Sequence, residues 1–356
     1  MRRARAAATC MLLAAGALLA GCAHLIKPPR AAAPHPAPTA TTPAAPAGYT
    51  TRADVQAFMA KLVQRDGFER AWLEKTLGAA RKNDAILAAI AKPYEAKPWY
   101  QYQPLFVNDP RVKAGVEFWN AHAALLDQAQ TRYGVPAAIV VAILGVESFY
   151  GRQKGGYSVL DALATLAFDY PARASFFQYE LEQYLLMCRA GHLDPLSLSG
   201  SYAGAMGAPQ FMPDSYRRYA VAFDGRDPPD IWNDWADIIG SVANYLHLQG
   251  WQPQGLVAVP AAVPSVIAEP PAALTPSTVG ALRAAGVVTS KGLADDTPAM
   301  LVALQLRDNG LQYWLGLDNF RAIMQYNRSP LYAMAVYDLA TRISQAHASA
   351  GQGAPP

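Results

Sequence analysis

Residues 137–151, AAIVVAILGVESFYG, pass through ten uncharged residues before reaching the carboxylate of Glu147. Counted in helical steps, Glu147 shares a stripe with Ile143, Val140 and Ile139, so a helix here carries the carboxyl toward the core side. Desolvation disfavours the charged form, and a carboxyl so placed is expected to keep its proton near neutral pH. A protonated carboxyl of that kind can act as general acid to a glycosidic oxygen. The alternative is an inert helix-end carboxylate paired with Arg152 across Gly151. Further along, GSYAGAMGAPQFMP (residues 200–213) spaces Gly200, Gly204 and Gly207 among small side chains. Such spacing lets a backbone turn sharply and approach a ligand, or forms a tight internal loop.

The elements that must position these residues are mainly helical. From Asp54, the residues Val55, Phe58, Met59, Leu62 and Val63 fall on one helical face, and Phe68, Trp72, Leu73 and Leu77 continue the pattern after Asp66-Gly67. Pro93 ends that region. A longer helix is expected through Val112, Val116, Trp119 and Leu126, up to the break at Tyr133-Gly134-Val135-Pro136. Pro136 suits the start of the next helix, where its missing N–H would be unpaired in any case. Between Gln252 and Asn319 the runs LVAVP, GVVTS and MLVALQL read as short strands. A final helix carries Tyr332, Val336, Leu339 and Ile343.

The chain has 356 residues, 52% hydrophobic and 16% charged, which suits a globular core. Its first residues have a different character. Arg2, Arg3 and Arg5 precede an apolar run from Met11 to Ala20, too short to cross a bilayer, and Leu19-Ala20-Gly21-Cys22 follows. This resembles the lipobox of bacterial lipoproteins, which implies cleavage before Cys22 and lipidation of that residue. Ala23, where an Asp would favour the inner membrane, points to the periplasmic face of the outer membrane. Several acyl chains on one residue give stable anchoring where one does not. Loss of residues 1–21 removes three arginines and no acid, taking the formal charge from +3 to zero. A nucleic-acid partner, which needs a concentrated basic face, is therefore not expected. Cys188 is left without a partner for an intramolecular disulfide and reads as a small buried apolar residue.

Five segments, GVESFYG, DALATLAFDYPARASFF, GSYAGAMGAPQFMP, ADIIGSVANYLHLQGW and YNRSPLYAMAVYDLA, occur in an order and spacing that resemble the membrane-bound lytic murein transglycosylase B family over roughly residues 50–345. The resemblance implies a mainly α fold: a lysozyme-like helical core with a helical N-terminal lobe and a small strand-containing insertion. It implies a signal peptide at 1–21, lipidated Cys22 with a Pro/Ala-rich tether to 48, a helical lobe at 49–135 and a catalytic core at 136–250. The insertion follows at 251–320, then a cleft-closing segment at 321–346 and a flexible tail at 347–356.

Members of this family cleave the β-1,4 bond between N-acetylmuramic acid and N-acetylglucosamine in peptidoglycan. The muramyl O6 attacks its own C1 and leaves a 1,6-anhydro end, and one Glu serves first as acid and then as base. Glu147 matches that residue, while Asp161 and Asp169 receive no nucleophile role. Ser201 matches a serine near the acid and the substrate N-acetyl group, and Gln210 a sugar-contacting glutamine. Tyr326, Asn327 and Tyr332 match cleft-closing residues, Tyr102 and Tyr245 cleft tyrosines, and Arg173 a cleft arginine suited to a lactyl or peptide carboxylate. Ala172 and Phe176 depart from the best-known member, which has arginine and tyrosine there.

Calcium is a further departure. That member carries an EF-hand-like loop just before IGSVANY, whereas AFDGRDPPDIWNDWAD here sets Ala222, Arg226 and Pro228 in alternation around Asp224. An arginine inside the ligand set opposes calcium even if Asp227, Asp230 and Asp237 rearrange, so neither metal nor cofactor is expected. The expected partners are peptidoglycan strands and, through the lipid, the membrane; the expected state is a monomer. The other readings are a non-catalytic peptidoglycan-binding lipoprotein, a hydrolytic muramidase, or a scaffold that docks a partner through residues 50–135.

Overall fold

The computed structural model describes residues 48–91, 97–264 and 275–352. The signal peptide, Cys22 and nearly all of the tether lie outside the described residues, as does Pro93.

Four short helices come first: α1 (Ala53–Asp66), α2 (Arg70–Ala79), α3 (Asp84–Ile90) and α4 (Trp99–Phe106). Gly67 ends α1 in the left-handed region at φ 64°, a conformation that suits glycine. Val55, Phe58, Met59 and Leu62 are buried, but Val63 is 36% exposed, so the apolar face of α1 is narrower than its pattern suggests.

The expected long helix through Trp119 is two helices, α5 (Asp109–Ala121) and α6 (Ala123–Tyr133). The chain breaks at His122, where φ and ψ are −125° and 22°. No Gly or Pro marks the break. The His122 ring packs on Phe118 at 4.5 Å and on Trp235 at 5.3 Å, tertiary contacts that helical periodicity does not encode. Pro136 then caps α7 (Ala137–Ser148), in which every residue except Ala138 and Glu147 is buried. A helix apolar on all sides belongs at the centre of a fold, and α5, α6, α14 (Pro330–Gln352) and α11 (Trp235–Leu248) surround it.

Between α7 and α11 lie β1 (Tyr157–Ser158), α8 (Val159–Asp169), α9 (Ala174–Ala190), β2 (Ser199–Gly200) and α10 (Pro213–Tyr219). Asp161 and Asp169, on α8, join this core to the N-terminal lobe. Asp169 accepts from the Tyr49 hydroxyl at 2.6 Å and from Arg52 at 2.7 Å, and Asp161 accepts the Arg81 N–H at 2.8 Å. Their carboxylates are thus engaged in lobe docking. Cys188 is 1% exposed, and burial pushes its thiol up to about 12, which makes it inert near neutral pH.

The Pro-rich stretch after α11 forms an antiparallel sheet in the order β4-β6-β7-β3-β5, from β3 (Ala258–Ala262), β4 (Ser277–Thr278), β5 (Val288–Thr289), β6 (Pro298–Gln305) and β7 (Leu311–Gly316). With α12 (Val279–Ala284) it carries its own small core, including Val259, Leu282, Leu301 and Leu315. Buried Asn319 opens α13 (Asp318–Tyr326) and clasps the other end of this excursion: it accepts from Gln252 N at 2.7 Å and donates to the Gln252 and Gly255 carbonyls. The chain therefore returns to the helical core at a fixed point, just before Tyr326. The final helix α14 buries Tyr332, Val336, Leu339 and Ile343. It runs to Gln352, so residues 347–352, expected in the tail, are helical.

Candidate active site

Glu147 sits one residue before the end of α7 and is half-buried. The helix ends abruptly because Phe149 and Tyr150 both take positive φ, 49° and 57°, an uncommon state for bulky residues. Several contacts hold it. Tyr150 N–H bonds Leu144 O at 3.0 Å, the Tyr150 hydroxyl donates to Arg111 O at 2.8 Å, and Arg111 Nε donates to Gly145 O at 2.8 Å while its guanidinium lies 5.0 Å over the Phe149 ring. Arg152, the alternative partner considered for Glu147, also lies over Phe149, at 5.0 Å. A cation at the last carbonyls of a helix also suits its dipole.

A wall of tyrosines faces the acid. The Tyr332 hydroxyl donates to Glu147 Oε1 at 2.5 Å. Tyr326 stacks on Tyr332 with centroids 6.4 Å apart and an interplanar angle of 13°, and Tyr245 lies 4.6 Å from Tyr326. Burial first, and then the charge of Glu147, push the Tyr332 and Tyr326 hydroxyls well above the ordinary phenol range, so both stay protonated. Two of these hydroxyls brace the backbone: Tyr245 donates to Gln325 O at 2.6 Å and Tyr326 to Pro209 O at 2.8 Å. These bonds join α11, the glycine-rich loop and the end of α13. Tyr102 is 1% exposed and close enough to Tyr332 to act on its ionisation, so it backs the wall from α4.

The glycine-rich loop is pinned at both ends. Gly200 pairs with Tyr157 in the β1–β2 ladder, and Met206 bridges both Gly200 and Phe211. At Gly207, with φ 66°, a β-carbon would lie 2.4 Å from the Ile231 carbonyl, so only glycine fits. Ser201 Oγ accepts the N–H groups of Ala203 and Ala205 at 3.3 and 3.1 Å, closing the loop on itself. Its hydroxyl proton is left to donate. Gln210, at φ 52°, donates its amide to the Lys154 and Gly207 carbonyls at 3.2 and 2.8 Å. Its amide oxygen is left to accept.

Tyr326 and Tyr245 also line a cavity of about 610 Å³ together with Arg173, Asn327, Glu180 and Arg328. The predicted set is therefore distributed in three groups: Glu147, Tyr332 and Tyr102; Ser201 and Gln210 on the loop; Arg173, Tyr245, Tyr326 and Asn327 around the cavity. Tyr326 links all three. Sequence reasoning missed two residues. Arg328 follows Tyr326-Asn327 directly and was legible by adjacency. Glu180 is 4% exposed, and burial pushes its carboxyl up to about 7; it carries no motif signal.

A family model described as the transglycosylase SLT domain matches residues 50–341. The chain belongs to this family. Within it, the membrane-bound lytic murein transglycosylase B of Escherichia coli (strain K12) is 39% identical over 341 residues, spanning 88% of this chain and 93% of that protein. The crystal structure of the soluble lytic transglycosylase SltB1 from Pseudomonas aeruginosa superposes with a TM-score of 0.78 at 45% identity, covering 83% of this chain and 99% of SltB1. The Escherichia coli lytic transglycosylase Slt35, solved in complex with calcium, gives 0.76 at 42% identity, covering 83% and 94%.

The loop from 222 to 237 carries an acidic cluster just before α11. Asp224, Asp234 and Asp237 bring carboxylate oxygens within 4.8 Å of one another. A cation of the protein's own already serves two of them. Arg226 bonds Asp224 through Nε and Nη2 and Asp234 through Nη2 at 2.7 Å, and its N–H reaches Asp224 Oδ1 at 2.9 Å. Asp237, 2% exposed, is occupied by the N–H groups of Phe223 and Asp230 at 2.7 and 2.8 Å. These carboxylates are matched to a guanidinium and to amides, whereas a calcium ion needs six to eight oxygens.

Proposed function

We infer that this lytic murein transglycosylase breaks the β-1,4 bond between N-acetylmuramic acid and N-acetylglucosamine with Glu147 acting twice. Glu147 gives its proton to the leaving O4 as the C1–O4 bond breaks. It then takes the proton of the muramyl C6 hydroxyl as O6 closes on C1. The products are a 1,6-anhydro end and a free O4 hydroxyl, and no water is consumed. In the interval the substrate N-acetyl group shields C1, with Ser201, Gln210 and Asn327 as its polar neighbours.

The observation that carries this reading is the Tyr332 hydrogen bond to Glu147 Oε1. A charge-assisted bond of this kind orients the carboxyl and stabilises it in the half of the cycle when its proton is on the glycan. Residues Asp161 and Asp169 are engaged in lobe docking, which supports a mechanism that does not call on either as a nucleophile. No metal or cofactor enters the scheme.

Purified sacculi digested with the wild-type chain are expected to release fragments ending in anhydro sugars, one water lighter than reducing ends by mass spectrometry. Glu147→Gln should release none. Reducing ends alone would make the protein a hydrolytic muramidase, and binding without release a non-catalytic lipoprotein.

The Leu19-Ala20-Gly21-Cys22 sequence and the membrane-bound character of the Escherichia coli relative support lipid anchoring through Cys22 at the periplasmic face of the outer membrane. Incorporation of labelled palmitate, abolished in Cys22→Ala, tests it.

A further inference from the structure

Three acids are fully buried among the described residues: Glu180, Glu182 and Asp237. Two of them are served on both sides. Glu182 pairs with Arg65 and with Lys61 at 3.6 Å, and Asp237 gives one oxygen to the Phe223 N–H and the other to the Asp230 N–H. Glu180 differs. It is 4% exposed, its Oε2 accepts the Asp214 N–H at 3.0 Å, and among the described residues its Oε1 has no partner. The same side chain lines the cavity shared by Tyr245, Tyr326 and Asn327.

Capping α10 through the Asp214 N–H accounts for Oε2 and leaves Oε1 unexplained. The Asp214 carboxylate is engaged elsewhere, by the Tyr179 hydroxyl at 2.7 Å and by Arg218 at 3.6 Å. The Arg173 guanidinium lies over Phe176 at 4.3 Å and forms no ion pair with Glu180 among the described residues. Burial, seconded by the Asp214 charge, outweighs the Asp214 N–H and Arg173 and pushes the Glu180 carboxyl up to about 7. Near neutral pH much of it keeps its proton. With Oε2 accepting, that proton belongs on Oε1, and the group presents an O–H donor to the cavity.

A buried donor of this kind calls for a neutral acceptor. We propose that Glu180 is a substrate-contacting residue whose carboxyl O–H is donated to an amide carbonyl of the bound glycan. The proposal rests on the peptidoglycan reading above. Such carbonyls belong to the acetamido groups of the sugars and to the stem peptide. Binding then draws a proton from the buffer onto any Glu180 that is ionised.

The test is calorimetric, on the full chain carrying Glu147→Gln to prevent turnover, with two probes: murein strands bearing stem peptides, and the same strands stripped by an amidase. Titrations at pH 7.5 in two buffers of different ionisation enthalpy count the protons taken up. The parent is expected to take up about half a proton per bound strand and to bind about tenfold more weakly at pH 8.5 than at pH 6. Adding Glu180→Gln, which keeps an oxygen for the Asp214 N–H and supplies an N–H to the glycan, should abolish the uptake and flatten affinity against pH. A role confined to capping α10 would move neither. Uptake with both probes assigns the acetamido group, and uptake with the first alone assigns the stem peptide. Binding without uptake, or uptake that survives Glu180→Gln, overturns the contact alone. Failure to bind either probe overturns the peptidoglycan reading and the contact with it.

Discussion

Tyr332, at the start of α14, sets its hydroxyl 2.5 Å from Glu147 Oε1 at the end of α7, although 185 residues separate the two in sequence. The bond depends on both helices, since α14 packs directly along α7. Tyr332→Phe keeps the ring and its stacking on Tyr326 while removing the donor. A hydrogen bond to a charged group contributes about 1.5–3 kcal/mol, so kcat on sacculi should fall roughly ten- to a hundredfold. KM and the melting temperature should move little. An unchanged kcat would remove Tyr332 from the mechanism.

The turn behind the acid is equally specific. A β-carbon on Gly145 would sit 2.6 Å from the Tyr150 hydroxyl, the group that donates to Arg111 O. Gly145→Ala must displace the Tyr150 ring and its hydroxyl from this position. Overpacking of this kind costs about 1–3 kcal/mol, and urea unfolding should show that loss together with reduced turnover, because Glu147 precedes the same turn. Gly156→Ala is the control. No atom lies within 4 Å of a β-carbon there, and both stability and activity should stay near wild type.

Much of this site was legible in the sequence because its parts are local. Glu147 at the end of an apolar helix, three closely spaced glycines, and Tyr-Asn before a final helix are patterns within single segments. What escaped depends on contacts between segments. The break at His122 has no Gly or Pro and is set by Phe118 and Trp235. The engagement of Asp161 and Asp169 in lobe docking appears only once the N-terminal helices lie on α8. Arg226 could be seen to oppose calcium, but its position bridging Asp224 and Asp234 is a property of the folded loop.

Glu180 predicts a pH effect on stability with a definite sign. Burial raises its carboxyl from 4.5 to about 7, with the Asp214 N–H and Arg173 opposing. The folded state therefore holds the proton more tightly than the unfolded chain does. Stability from this group is fully present below about pH 4.5 and is lost as the pH rises to about 7, a difference of roughly 3 kcal/mol. Glu180→Gln keeps an oxygen for the Asp214 N–H and does not titrate. Denaturant unfolding at pH 4.5 and pH 8 should show the variant gaining on wild type as pH rises. Parallel curves would exclude Glu180 as the source.

The acidic loop before α11 gives the last prediction. Arg226 bridges Asp224 and Asp234, while Asp237 faces inward and is held by two amides. With a guanidinium supplying the positive charge, the loop is expected to hold its fold without a divalent ion. The wild-type melting temperature should be the same in EDTA and in millimolar calcium. Arg226→Ala removes the cation and leaves Asp224, Asp234 and Asp237 with oxygens within 4.8 Å of one another, so like-charge repulsion should lower the melting temperature. Calcium should restore part of that loss where sodium at equal ionic strength does not, because a divalent ion meets several carboxylates at once. Should EDTA destabilise the wild type, Arg226 would not be the cation that holds this loop.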